Sequence, residues 1–228
     1  MTEIKIRQQK IRSYVIRAAR LTKRQQRGLQ STNLLKIANE DVILNFKNIF
    51  SNNNPVICDI GFGMGVALIK QAQQFPQYNY LAVDVYTPGI GSLLADIEEL
   101  GLTNIRVINK DAYELISKNI TSNGFHKVQL LYPDPWPKKR HHKRRLVTDD
   151  FLTICAKVLQ PQGVIQIITD WCPYADSIND LIDTNKLFKA SELSKLKGLS
   201  HPDKLVSSYA QKAIKKQHKI HNLVFSLI

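Results

Sequence analysis

From residue 56 to residue 170, short apolar runs alternate with longer stretches in which apolar positions recur every three or four residues. Apolar runs of about four to eight residues, rich in Val and Ile, are typical of strands buried on both faces. The predicted strands are residues 56–60, 80–85, 105–109, 127–132 and 164–170. The predicted helices are residues 66–74, 88–100, 112–118, 151–159 and 174–183.

The order of these elements indicates an α/β fold. Strands that alternate with helices form right-handed crossovers, which give a mostly parallel sheet with helices on both faces. Residues 161–163, Pro-Gln-Gly, predict a turn, and residues 32–50 fit either a helix or a loop. The terminal run HNLVFSLI, residues 221–228, is not followed by a helix, so we expect it to add an antiparallel strand at the sheet edge.

Length and composition fit one domain of this class. The chain has 228 residues, 43% of them hydrophobic, and no apolar run reaches the roughly 18 residues of a membrane span. The charged start MTEIKIRQQKIR lacks the apolar segment of a secretory signal. The three cysteines are far apart and have no zinc-ligand spacing, so we expect a reduced cytoplasmic compartment and no bound metal.

The formal net charge of +13 is concentrated in two segments. Residues 1–27 contain nine basic residues and one acid, and residues 136–145 contain six basic residues and no acid, while the remainder is close to neutral. Such segments attract polyanions because counterions are released on binding. They favour a nucleic-acid partner over a merely solvated tail and loop. We expect residues 1–31 to form a basic arm and residues 32–228 to form a single domain.

Acidic residues stand at or just after the carboxyl ends of the predicted strands, where open α/β sheets bind ligands. These acids are Asp59, Asp84, Asp111, Asp134 and Asp170. In a nucleotide site, the position of Asp84 suits hydrogen bonds to a ribose diol, and the position of Asp111 suits an adenine edge. An acid after the second strand also suits a nicotinamide nucleotide, so Asp84 alone does not discriminate between cofactors.

A glycine-rich turn follows the first predicted strand. It contains Gly61, Gly63 and Gly65. Glycines allow the backbone to approach a ligand closely and to adopt positive φ angles. A dinucleotide fingerprint would need its third glycine at Val66. Because Asp59 precedes the turn, a pyrophosphate is disfavoured, and the ammonium group of S-adenosylmethionine is a better fit.

The loop after the fourth predicted strand combines an acid, an aromatic ring and cations. Three prolines in PDPWP, residues 133–137, stiffen the loop, which can hold Asp134 and Trp136 against a flat base. The cations that follow suit a purine whose phosphates lie nearby. Trp136 could instead be a packing residue. His141 and His142 have no further ligands at metal spacing, so they fit exposed groups near phosphates better than a metal site.

Several segments together resemble the bacterial tRNA (guanine-N(7)-)-methyltransferases. They are RAARLTKRQQRGL (17–29), DIGFGMG (59–65), YTPGIGSLL (86–94), PDPWPKKRHHKRRL (133–146), TDWCPYA (169–175) and the tail from Ser207. The resemblance spans nearly the whole chain. It implies a Rossmann-like class I methyltransferase fold, S-adenosylmethionine as cofactor, and N7 of guanine 46 in the variable loop of tRNA as target. It leaves open a monomer or a homodimer, with no membrane partner.

The resemblance also implies roles for individual residues. Those implied to bind the cofactor are Asp59, Gly61, Gly63, Gly65, Asp84, Asp111 and Asp134. Asp134 is also the implied catalytic residue. Those implied to contact the substrate or the RNA are Trp136, Lys138, Arg140, His141, His142, Lys143, Arg144, Arg145, Asp170, Ser207 and Tyr209.

The chain departs from the family's usual pattern at three positions. Asp59 and Asp84 stand where the family usually has Glu, which keeps the charge but shortens the reach by about one bond length. The family's T-x-[FY]-E reads SSYA at residues 207–210, so Ala210 lacks the carboxylate. A catalytically weak or silent tRNA-binding protein therefore stays open as an alternative. A methyltransferase that acts on a small molecule or a protein is disfavoured by the basic segments.

Overall fold

In the computed structural model, the described part of the chain forms a seven-stranded, mostly parallel sheet at its centre. The structure describes residues 12–15, 20–35, 42–192, 215 and 217–228. The strands are β1 (Val56–Ile60), β2 (Asn79–Asp84), β3 (Ile105–Asn109), β4 (Phe125–Leu131), β5 (Leu159–Thr169), β6 (Phe188–Ala190) and β7 (His221–Leu227). They lie in the order β3-β2-β1-β4-β5-β7-β6, and β1 to β5 are parallel.

Helices cover both faces of the sheet. They are α1 (Lys23–Gly28), α2 (Phe46–Phe50), α3 (Val66–Gln74), α4 (Thr87–Glu99), α5 (Ala112–Asn119), α6 (Asp149–Val158) and α7 (Cys172–Thr184), with a 3-10 helix at Lys139–Arg144. Helices α3 and α4 pack on one face, and α2, α5, α6 and α7 on the other. The predicted α/β class is confirmed. None of the described helices is long and apolar enough to cross a lipid bilayer.

The apolar runs form strands because both faces of the sheet are covered. Every residue of β1 is buried, and β4 buries most of its length. Strands β1 and β3 begin and end where the sequence predicts, and the other three predicted parallel strands are confirmed with shifted ends. Parallel strands buried on both faces read as continuous apolar runs, which explains the agreement.

Strand β5 begins earlier than the sequence predicts. Leu159 pairs with Phe125, and the next regular pair joins Lys127 to Val164, so residues 160–163 bulge from the ladder without ending the strand. The predicted turn at residues 161–163 is therefore wrong. A bulge tolerates proline within a sheet because the extra residues leave the ladder of hydrogen bonds.

The C-terminal strand lies inside the sheet. Strand β7 runs antiparallel to β5, with Ile165 paired to Phe225, and the predicted direction is confirmed. Its predicted place at the edge is wrong, because β6 pairs on its outer side through Phe188 and Leu227. Strand β6 has three residues, too short a run to give a periodic signal.

The last part of the predicted basic arm packs on helix α4. Gly28 lies so close to Gly91 that a Cβ on Gly28 would be 2.2 Å from the Gly91 carbonyl oxygen. Arg24 forms ion pairs with Asp96 at 2.6 Å and with Glu99 at 2.7 Å. Helix α1 is therefore held on α4 by a close backbone approach and by ion pairs. The domain boundary after residue 31 stays a prediction.

Candidate active site

A cleft of about 640 Å³ opens beyond the carboxyl ends of β1, β2 and β4, beside the point where the strand order changes direction. Open α/β sheets bind ligands at this position, and the volume falls in the range of small-molecule sites. The predicted cofactor residues lie together in its wall: Asp59, Gly61, Gly63, Gly65, Asp84, Asp111 and Asp134. Trp136 also lines the cleft.

The turn between β1 and α3 brings its backbone to the cleft because its three glycines adopt left-handed conformations. The φ angles of Gly61, Gly63 and Gly65 are 74°, 59° and 81°. A Cβ on Gly61 or Gly63 would meet no atom within 4 Å, whereas a Cβ on Gly65 would collide with Leu93 of α4. Gly61 and Gly63 therefore leave open space above the turn, and Gly65 allows the turn to pack on α4.

Asp84, the last residue of β2, holds this turn from the side. Its Oδ2 accepts a hydrogen bond from the N–H of Gly63 at 3.0 Å, and its Oδ1 accepts from the N–H groups of Val85 at 2.7 Å and Tyr86 at 2.9 Å. Burial raises the pKa of Asp84, the three N–H groups oppose that rise, and the charge of Asp134 adds to it. The Asp84 carboxylate therefore links the glycine turn to the start of α4.

Asp59 lies beneath the glycine turn and is 1% exposed. Neither of its carboxylate oxygens has a hydrogen-bond partner within the described part of the chain. Burial raises the pKa of Asp59 to about 7. The nearby side-chain amide of Gln129 and the charge of Lys127 oppose this rise, and the charge of Asp84 adds to it. A buried carboxylate without a partner is unfavourable, so its place in a cleft wall fits a group that receives a cationic ligand.

The loop after β4 fixes Trp136 at the cleft. Trp136 has a φ angle of 46°, a conformation that costs free energy for a residue with a side chain. Its Nε1 donates to the carbonyl oxygen of Ser13 at 3.2 Å, and the Arg144 guanidinium lies 5.0 Å from the ring centroid. His141 meets the ring edge-on at 5.9 Å. Groups from two parts of the chain, the N-terminal segment and the 3-10 helix, thus hold the ring in the cleft wall.

Arg145 points into the protein. Its Nε donates to the carbonyl oxygen of Pro135 at 3.0 Å, and its Nη1 donates to the Ser177 hydroxyl at 2.8 Å. The guanidinium also lies 4.7 Å from the ring centroid of Tyr174. These contacts tie the loop to α7. The predicted contact of Arg145 with RNA stays a prediction, and the structure adds a role in supporting the loop.

The remaining cations of this segment lie at or beside the 3-10 helix. The exposed ones are Lys138, Lys139, Arg140 and Lys143. His141 and His142 are partly exposed. Partial burial and the neighbouring cations lower the pKa of His141, which favours the neutral form of its ring. The segment forms a positive rim beside the cleft, and its contact with RNA stays a prediction.

Two of the predicted acids also have partners within the protein. Asp111 accepts a hydrogen bond from the N–H of Glu114 at 3.0 Å and so caps α5 at the cleft wall. Asp170 follows β5, outside the described wall of the cleft, with its Oδ2 3.3 Å from Nδ1 of His218. Outside the described residues lie the predicted contacts Ser207 and Tyr209.

Sequence reasoning missed a segment of the cleft wall, Ser13–Val15. Tyr14 is partly buried there, and its pKa is raised by that burial and by the charge of Asp111. The hydrogen bond from Trp136 joins this segment to a loop 123 residues further along the chain. No local pattern predicts a contact over that distance, and the tyrosine within a basic run was the available signal.

Comparison with known proteins identifies the family. Residues 53–223 match the family described as "Putative methyltransferase". The chain is similar to the tRNA (guanine-N(7)-)-methyltransferase of Legionella pneumophila (strain Corby). The two are 39% identical over an alignment of 230 positions, which covers 96% of this chain and 98% of that relative. The chain belongs to the tRNA (guanine-N(7)-)-methyltransferase family. A member from Halorhodospira halophila is 35% identical over 220 residues, 95% of this chain and 94% of that relative.

Solved structures support the methyltransferase fold for this family member. An antibiotic-related methyltransferase superimposes with a TM-score of 0.54 at 15% identity, over 86% of this chain and 96% of the other. The 16S rRNA methyltransferase KamB gives a TM-score of 0.54 at 16% identity, over 80% of this chain and 92% of the other. At these identities the likeness concerns the fold, which is the Rossmann-like methyltransferase fold that the sequence predicts.

Proposed function

We propose that the chain transfers a methyl group from S-adenosylmethionine to N7 of guanine 46 in tRNA. The observation that carries the proposal is the convergence of Asp59, Asp84 and Asp134 on one cleft, in a chain of this family. The names of the relatives supply the target atom. The position in the tRNA comes from the resemblance of the sequence motifs.

The cleft has the features that a cationic nucleoside needs. Gly61 and Gly63 leave space above the turn, and the two unpartnered oxygens of Asp59 would accept the ammonium group of the donor. Asp84 would accept hydrogen bonds from the ribose hydroxyls, and Asp111 would lie near the adenine edge. The acids together would balance the positive charge of the donor. A cofactor with a pyrophosphate carries negative charge, which the same acids would repel.

The chemistry needs few protein groups. When bound, the donor supplies a methyl group on a cationic sulfur, and the sulfur keeps the electron pair of the broken S–C bond. Guanine N7 has a free lone pair and no proton at neutral pH, so the transfer needs no strong general base. Asp134 would accept hydrogen bonds from the guanine N1–H and amino group and would stabilise the purine as it becomes cationic. Trp136 would stack on the base.

The positive rim would hold the tRNA beside the cleft. Lys138, Lys139, Arg140 and Lys143 are exposed and free to meet phosphates, and Arg144 lies over the Trp136 ring. Because guanine 46 must leave its stack to reach Asp134, we propose that the base is extruded from the tRNA core. Residues 1–31 would act as a second basic strip, which makes the arm part of the RNA-binding surface.

Two measurements test this function. Calorimetry is expected to show binding of S-adenosylhomocysteine and no binding of NADH, because the glycine spacing and Asp59 disfavour a pyrophosphate. Incubation with tritiated S-adenosylmethionine and bulk tRNA is expected to label the RNA. A chain that binds tRNA but neither binds the donor nor labels the RNA would instead be a silent tRNA-binding protein.

A further inference from the structure

One lysine lies in the interior of the sheet, behind the cleft. Lys127 of β4 is 0% exposed, and its Nζ has no hydrogen-bond partner within the described residues. Burial lowers the pKa of Lys127 to about 7, and the charge of Asp59 opposes that fall. A buried ammonium is strongly unfavourable unless an opposite charge compensates it. The burial of Lys127 therefore calls for a nearby anion.

The acid that interacts electrostatically with Lys127 is Asp59, on the adjoining strand β1. Asp59 pairs in register with Gln129, and Lys127 precedes Gln129 by two residues, so both charged side chains lie on the same face of the sheet. Adjacent strands are about 4.8 Å apart and rise about 3.3 Å per residue, so the two charges are close enough to interact electrostatically, without a direct hydrogen bond between them. Each of the two charges opposes the effect of burial on the other.

Among the residues that the structure describes, the other groups that interact with Asp59 supply no positive charge. Gln71 of α3 and Gln129 bond to each other through their amides at 2.9 and 3.3 Å, and both are neutral. The titratable groups that interact with Asp59 besides Lys127 are Cys58, Tyr80 and Asp84. Burial raises the pKa of the Cys58 thiol and of the Tyr80 hydroxyl, so both stay protonated at neutral pH. Asp84 has the same sign as Asp59.

We propose that Lys127 is a positioning residue of the donor site, whose buried ammonium keeps Asp59 a carboxylate beneath the glycine turn. Lys127 acts through Asp59, since it lies behind the described wall of the cleft. The inference rests on the proposed function for the identity of the ligand, whereas the pairing of the two side chains can be measured without any ligand.

The electrostatic interaction between Lys127 and Asp59 makes donor binding depend on pH in a defined way. A protonated Asp59 offers no negative charge to an ammonium, so donor binding weakens as the pH falls through the pKa of Asp59. Lys127 holds that pKa down, and Lys127→Met removes the opposing charge. Asp59 then titrates at higher pH. The variant therefore loses its affinity for the donor in a pH range where the wild type still binds the donor. At high pH Asp59 is ionised in both proteins, and the difference disappears.

A direct test follows the Asp59 carboxyl carbon by NMR in protein labelled with 13C-aspartate, with Asp59→Asn to assign the signal. In Lys127→Met the titration midpoint is expected to move up by about one pH unit or more. Lys70→Met, on the exposed side of α3, is the matched control and leaves the midpoint unchanged. An unchanged midpoint in Lys127→Met would overturn the proposal. Should Lys127→Met fail to fold, Lys127→Gln removes the same charge and has the same expected result.

Calorimetry with S-adenosylhomocysteine gives the functional readout. Lys127→Met is expected to bind about tenfold more weakly than wild type near pH 6.5 and equally well near pH 9. An equal loss at every pH would indicate a purely structural role and would contradict the proposal. If wild type itself binds no donor at any pH, the proposed function fails, while the NMR titration still decides the pairing of Lys127 and Asp59.

Discussion

The backbone N–H of Gly63 donates a hydrogen bond of 3.0 Å to Oδ2 of Asp84, which joins the glycine turn after β1 to the end of β2. The other carboxylate oxygen of Asp84 accepts from the next two backbone N–H groups. One side chain thus fixes the backbone on two sides of the cleft. This link explains why an acid at the end of β2 matters before any ligand is bound.

Asp84→Ala leaves three backbone N–H groups without their acceptor. The free energy of unfolding is expected to fall by about 1–3 kcal/mol, and the affinity for S-adenosylhomocysteine is expected to fall at least tenfold. Urea unfolding and calorimetry measure the two effects. Asp84→Asn retains one acceptor oxygen. Its stability and its affinity for S-adenosylhomocysteine should both lie between those of Asp84→Ala and those of the wild type. Wild-type stability in Asp84→Ala would show that the link does not hold the turn.

Gly89 at the start of α4 lies against the glycine turn. A Cβ at this position would be 1.9 Å from the Gly63 carbonyl oxygen, so Gly89→Ala must displace the turn. Donor affinity is expected to fall more than tenfold, with about 1–3 kcal/mol of lost stability from overpacking. Gly28→Ala is the matched control, because its Cβ would meet Gly91 between α1 and α4, away from the cleft. Equal donor affinities for folded Gly89→Ala and folded Gly28→Ala would contradict the expected displacement of the glycine turn.

Asp134→Asn tests electrostatic catalysis. Asp134 is exposed in the cleft wall, so the substitution should leave folding unchanged. The maximal transfer rate is expected to fall by about 10²–10³, as for the loss of one preorganised group, while tRNA affinity changes little. Single-turnover transfer and filter binding separate the two quantities. A near-normal rate would remove Asp134 from the catalytic machinery.

Arg140 and Arg145 belong to one basic segment but have different surroundings. Arg140→Ala is expected to weaken tRNA binding and to reduce the slope of log affinity against log salt by about one, with unchanged stability. Arg145→Ala is expected to lower the free energy of unfolding by about 1–3 kcal/mol, because Pro135 and Ser177 lose their donor. Salt titrations and urea unfolding distinguish them. Identical behaviour of the two variants would refute the inward role of Arg145.

Local patterns predicted the frame of the fold and much of the cleft. Strands β1 and β3 are short, mostly apolar runs. The places of Asp59 and Asp84 in the cleft follow from the rule that open α/β sheets bind ligands at the carboxyl ends of their strands. The bulge in β5 and the three-residue β6 escaped prediction, because each depends on pairing with a distant strand.

The environment of single charged residues was the harder part. Lys127 and Arg145 are cations, and a cation in a sequence normally indicates an exposed position. Lys127 is fully buried and interacts electrostatically with Asp59, and the partly buried Arg145 donates to Ser177. Both of these neighbours are distant in the chain. The contact of Ser13 with Trp136 spans 123 residues and leaves no trace in local periodicity.

The most direct test of the central claim maps the product. A single tRNA transcript is incubated with the purified chain and S-adenosylmethionine, then reduced with borohydride and cleaved with aniline, which breaks the strand at N7-methylguanine. One donor-dependent cleavage at guanine 46 is expected, and it should disappear in a transcript with adenine at that position. Donor-dependent labelling of the tRNA without this cleavage, or no labelling at saturating donor, would contradict the account.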